Sequence, residues 1–121
     1  MAGDQGETEG GGEMTVEERI VAALSPLGLP VLQGPYLEDR DKYLCYYVSR
    51  SGTNWADDGP GAEVCRVQVH LFAPVTENIN ALVRLAQNAM YAADFGWPEA
   101  VDATDKDGRH IILETTWLEA L

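Results

Sequence analysis

The polar and apolar positions of this chain change period several times, and each change marks an element. Thr15-Val-Glu-Glu18 has the form of a capping box, with Thr15 closing a helix N-terminus and Glu18 reaching back to it. Ile20, Val21 and Leu24, with Val16 and Leu27, follow at helical spacing, which predicts a helix from Val16 to Ser25 that Pro26 stops. Pro26, Gly28, Pro30, Gly34 and Pro35 read as turns around a short extended piece at Val31-Leu32, and Glu38 to Lys42 as a solvated connector. Val64 to Phe72 alternates as a strand with one wet face does: Cys65, Val67, Val69 and Leu71 point one way, Arg66, Gln68 and His70 the other. Tyr43 to Val48 does not alternate and predicts a strand apolar on both faces.

Between those two runs, Ser51 to Ala62 is polar and reads as a long loop centred on Trp55, Asp57 and Asp58. Thr76 offers the cap of a second helix, expected from Glu77 to Ala93, along which Ile79, Leu82, Val83, Ala86, Met90 and Ala93 keep helical spacing. Gly96 is placed for a left-handed cap after it, and Pro98 prevents continuation. A second hairpin follows, from Glu99 to Thr104 and from Arg109 to Trp117, around a turn marked by Asp107-Gly108. The order α-β-β-α-β-β predicts an α+β two-layer sandwich, an antiparallel sheet of about four strands with the helices packed on one face. Residues 15–121 form a single domain in this reading, and the acidic, Gly-rich residues 1–14 are expected to be a disordered leader, having too little apolar surface to offset their ordering entropy.

The doubly apolar strand changes the picture most. A strand buried on both faces needs two covers, and in a chain of 121 residues the second is expected from another subunit. Tyr46, Tyr47, Trp55, Asp57, Asp58 and His70 are therefore the candidate subunit contacts. Charge narrows the partners. With 8 Lys and Arg against 20 Asp and Glu, the formal charge is −12, which disfavours nucleic acid and anionic membrane surfaces as bound partners. No apolar run approaches the roughly 20 residues of a membrane span, and a soluble protein made in a cytosol is expected. Cys45 and Cys65 form no metal-ligand pattern. A hairpin closed near Trp55 sets them nearly opposite each other, and in a cytosol they are expected to be buried free thiols used for packing instead of a bridge.

Candidate chemistry adds little. His70 and His110 are the chain's two imidazoles, and both fall on predicted strands with no nucleophile motif beside them. Asp57 and Asp58 are too few for an oxygen-ligand metal site. No phosphate-binding loop, dinucleotide fingerprint or Gly-x-Ser-x-Gly occurs. The expectation is no enzymatic activity, cofactor or metal. A small hydrolase using Asp57, Asp58 and His70 is the weakest of the readings, behind a protein-binding or regulatory module acting through the same strand and loop.

An N-terminal helix, an aromatic strand with Tyr46-Tyr47, Ala56-Asp57-Asp58, the strand Val67-x-Val69-x-Leu71, a helix, Phe95-Gly96 and a closing hairpin together resemble the tail-completion or tail-terminator proteins of long-tailed bacteriophages. Asp105 to His110 is similar to the last turn of that family, whereas Glu114 stands where such proteins often carry a basic residue. The resemblance implies a structural virion protein, assembled in the host bacterial cytoplasm. It would form a ring, commonly a hexamer, that caps the tail tube and meets the head-neck proteins. An acidic ring would let DNA pass without holding it.

Overall fold

In a computed structural model, the structure describes residues 14–34, 42–56 and 59–120, with the backbone alone at 54–56 and 120. Helix α1 spans Val16–Leu24 and opens on the expected capping box: the Glu18 amide donates to Thr15 Oγ1 at 3.1 Å and the Thr15 amide to Glu18 Oε1 at 2.8 Å. A 3-10 turn, Ser25–Leu27, follows and ends at Gly28, whose φ of 81° suits glycine.

Among the described residues five strands form one sheet: β1 (Val31–Gln33), β2 (Tyr43–Ala56), β3 (Gly59–Ala73), β4 (Glu99–Asp102) and β5 (Arg109–Ala120), in the spatial order β1-β2-β3-β5-β4. The α+β two-layer class is as the sequence implies, with one more strand than expected. The extended piece at Val31-Leu32 joins the sheet edge and pairs parallel with Leu44–Tyr46, so the sheet is mixed. The other pairings are antiparallel.

The long loop between the first two strands is corrected outright. The ladder runs on through Ser51↔Val64 and Thr53↔Ala62 to Ala56↔Gly59, so the described part of this stretch, 51–56 and 59–62, is strand. Backbone pairing does not require apolar side chains, and an arm of this kind leaves no hydrophobic period to read. Gly59, at φ 131°, takes a conformation that favours glycine beside the tip. Asp57 and Asp58 lie outside the described residues, and Trp55 is described only by its backbone, paired with Pro60.

Register also corrects the cysteines. Cys45 pairs with His70, five residues on from Cys65, and Cys65 pairs with Arg50. An odd offset puts the two thiols on opposite faces of the sheet, and both are free and buried.

Helix α2 spans Asn80–Ala92, starting three residues later than expected, without Thr76 as its cap. Pro74 to Glu77 is held as a turn by the Glu77 amide bonding Pro74 O at 3.0 Å, by Lys42 pairing with the Glu77 carboxylate at 2.8 Å, and by Arg109 Nε donating to Glu77 O at 3.0 Å. Asn78 bonds the Asn80 amide instead, at 3.0 Å. After the helix Asp94, not Gly96, carries the positive φ, 74°.

Both helices cover one face. Val16, Ile20 and Leu24 of α1 and Ala86 and Met90 of α2 meet Leu44, Tyr46, Val67, Val69, Leu71 and Leu113, all buried in one cluster. Phe95 closes one end against Trp117, 5.0 Å between rings, with the Arg19 guanidinium 4.7 Å over the indole. Alternation sends the other residues of the same strands to the opposite, outer face, over which no helix lies among the described residues.

Candidate functional site

The outer face is built by three strands in register. Tyr43↔Phe72, Cys45↔His70 and Tyr47↔Gln68 pair β2 with β3, and Phe72↔His110, His70↔Ile112 and Gln68↔Glu114 pair β3 with β5. Side chains two apart on a strand share a face, so this register assembles one aromatic track from residues far apart in the chain. Tyr43 stacks on Phe72 at 4.9 Å, Phe72 on His110 at 4.3 Å, and Tyr47 meets His70 edge-on at 4.9 Å.

At its centre His70 Nδ1 and His110 Nε2 stand 2.8 Å apart, within hydrogen-bond distance. The tautomers follow from the neighbours. Gln68 Nε2 donates to Glu114 Oε2 at 3.1 Å, which turns Gln68 Oε1 toward His70 Nε2, also at 3.1 Å. Since that oxygen only accepts, His70 carries its proton on Nε2, its Nδ1 is a bare lone pair, and His110 Nε2 donates to it. Burial pushes both imidazole pKa values down. His110 lowers that of His70 further and Glu114 raises it, while Asp105 opposes the shift of His110.

Beside His110 an open cleft of about 270 Å³ is lined by Tyr43, Phe72, Asp105, Asp107 and Arg109 among others. Farther along, Tyr47, Val101 and Leu118 are exposed at 37%, 46% and 63%. Tyr43 and Cys45 are buried on the same face, and burial pushes the Cys45 thiol and the Tyr47 phenol up.

The candidate contacts thus divide. Tyr47 and His70 share the outer face, whereas Tyr46 is buried on the helix side, since alternation sends it with Leu44 and Val48 toward α1. His110 was missed as a partner of His70 because nothing local links residues 40 apart; only the β3–β5 register does. On the helix side Glu63, Cys65 and Glu119 bring ligand-type atoms within 4.8 Å of one another, but Arg50 already lies 3.6 Å from the Glu63 carboxylate. No helix of the described residues is long and apolar enough to cross a membrane.

Fold and face together define an α+β domain with a mixed five-stranded sheet, helices on one side and an aromatic–histidine track on the other. Its likeness to known structures is one of shape. A solved structure whose name describes no activity superimposes with a TM-score of 0.58 at 15% identity, covering 87% of this chain and 89% of its own. No family model and no curated protein sequence matches the chain.

Proposed function

We propose that this chain is a structural assembly protein, a ring-forming subunit of the tail-terminator kind, whose subunit contacts are the outer sheet face and the β2–β3 arm. The observation that carries this is the face itself: Tyr47, Val101 and Leu118 stand exposed on it beside the aromatic track, with no helix over them among the described residues. Between them lie the exposed Arg66, Gln68 and Glu114, so the surface offered to a partner sets apolar side chains among polar ones.

The arm argues for a second copy as the occupant. Past Arg50, which Glu17 of α1 holds at 2.7 Å, Ser51–Ala56 carries β2 on for about 20 Å. Its last rungs, Trp55↔Pro60 and Ala56↔Gly59, lie beyond the end of β5 at Ala62↔Ala120, and a two-stranded ribbon is marginal in water by itself. In a closed ring each copy lends its arm to one neighbour and receives one from the other, leaving no contact unsatisfied. In this reading the ring caps a tail tube, meets the head-neck proteins and has no catalytic role, and its acidity keeps passing DNA from sticking.

Light scattering and negative-stain imaging across micromolar concentrations, with and without a tail-tube protein, test the proposal. Closed rings that dock on tube ends are expected. A strict monomer that ignores the tube overturns it.

A further inference from the structure

We infer that His70 and His110 form a two-stage proton latch on the outer face: the first proton strengthens the bond between the rings, and the second parts them. The inference concerns a single copy and does not rest on ring assembly. The contact is head-on, with 2.8 Å between His70 Nδ1 and His110 Nε2 and 5.0 Å between ring centroids, so one N–H stands between the rings and points at one lone pair. The ring nitrogens therefore have unequal roles. His70 Nε2–H donates to Gln68 Oε1, with Gln68 oriented by Glu114, and His110 Nε2–H donates to His70 Nδ1. That leaves His110 Nδ1 as the basic nitrogen with no partner among the described residues.

The order of protonation follows from those roles. The first proton goes to His110 Nδ1 and leaves the pair intact, since His110 Nε2–H still donates and a charged donor makes the stronger bond. Burial opposes charge on that ring, while Asp105 and the Phe72 ring stacked on it at 4.3 Å favour it. A second proton can go only to His70 Nδ1, which is already the acceptor. Two N–H groups cannot face each other at 2.8 Å, so the rings must separate. Burial and the charge on His110 resist this step, and Glu114 assists it. Of the other groups around the pair, β2 presents Tyr43, Cys45 and Tyr47, and burial pushes the Cys45 thiol and the Tyr47 phenol up, away from the imidazole range. Glu99 of β4 lies across from Glu114, and Arg66 of β3 is bonded to Ser51. Asp107 shares the cleft beside His110 with Arg109, whose Nε is tied to Glu77 O. Because Tyr47 rests edge-on against His70 and Phe72 stacks on His110, parting the two rings opens the aromatic track at its centre.

Nuclear magnetic resonance of the untagged full chain, grown with isotope-labelled histidine, tests this directly, because its two histidines give all the ring signals. As pH falls, His110 is expected to take up its proton first, with His70 still neutral and carrying its proton on Nε2. The signal of the shared His110 Nε2–H should persist through that step and disappear in the second, expected at least about one pH unit lower. Two variants should move the remaining ring in opposite directions. His110→Phe frees His70 Nδ1 and raises the pH at which His70 titrates, whereas His70→Phe removes the acceptor and lowers that of His110. Simultaneous titration of both rings in the unmutated chain, His70 charging first, or loss of the shared N–H signal in the first step overturns the inference, and none of these readouts needs a variant to fold. Shifts of the same sign in the two folded variants overturn it as well.

Discussion

The ring of Tyr47 lies against the backbone of Gly34, so close that a Cβ built on Gly34 would come within 2.5 Å of Tyr47 Cζ. The Gly34 amide meanwhile donates to Tyr46 O at 2.8 Å, which fixes the backbone beneath the ring. Glycine is required here by space, since its φ is not among the positive ones. Gly34→Ala should therefore displace Tyr47 or the end of β1 and cost about 1–3 kcal/mol, the usual range for overpacking. Chemical denaturation of Gly34→Ala, Tyr47→Ala and the double variant would measure it. The double variant is expected to lose less than the sum of the singles, and strict additivity would contradict the contact.

The imidazole pair gives stability a defined pH dependence. Both folded-state pKa values lie below the ordinary 6.5, so the unfolded chain takes up protons more readily. Stability from this source is full above about pH 6.5 and is lost as pH falls from there through the lowered folded values. Glu114 facing His70 and Asp105 facing His110 moderate the loss. Denaturation midpoints of the unmutated chain should drop across that window more steeply than those of a His70→Phe, His110→Phe double variant. Equal slopes would contradict the assignment.

A second window lies lower. Hydrogen bonding to Arg50 holds the Glu17 carboxyl below its usual 4.5, so its contribution is present above that value and lost as pH falls through the folded pKa. The pair is partly exposed, with side chains at 36% and 24%, and a double-mutant cycle on Glu17 and Arg50 should give no more than about 1 kcal/mol, falling with salt.

The thiols should report the register directly. Because Cys45 and Cys65 lie on opposite faces, mild oxidation of the folded chain should form no internal bridge, and both should react with a thiol reagent only after denaturant is added. Mass spectrometry of the oxidised protein checks this. An internal Cys45–Cys65 bridge would require a register different from the one described.

Much of the fold was legible where one local rule sufficed. Thr15 and Glu18 announced α1, the alternation from Cys65 to Leu71 announced β3 and its buried face, and Asp107-Gly108 announced the last turn, closed by the Asp105↔Gly108 bridge. What failed depended on register. Trp55 sits in a polar stretch, and the ladder that pairs it with Pro60 is held by backbone bonds that leave no pattern in side chains. The error in hairpin closure then carried to the cysteines, since an odd shift exchanges the faces. The same cause hid half of the candidate site. His70 was visible on a polar face, but its partner His110 is brought to it by the β3–β5 register, which joins residues 40 apart. The run at Tyr43 splits by alternation, Leu44 and Tyr46 to the helices and Tyr43, Cys45 and Tyr47 to the outer face, where Tyr43 and Cys45 are already buried within the chain.

The acidic charge bears on that assignment too. Copies at −12 repel one another, so association through the outer face should strengthen as salt screens the repulsion. The most direct test is light scattering at matched micromolar concentrations and two ionic strengths, comparing the unmutated chain with a Tyr47→Glu, Leu118→Glu variant. The account predicts a closed oligomer of fixed copy number for the unmutated chain, favoured by salt. The variant should be monomeric with a folded circular-dichroism spectrum, its melt lowered by the loss of the Tyr47 contact with Gly34. A chain that stays monomeric at every concentration, or a variant that assembles as well as the unmutated protein, would contradict it.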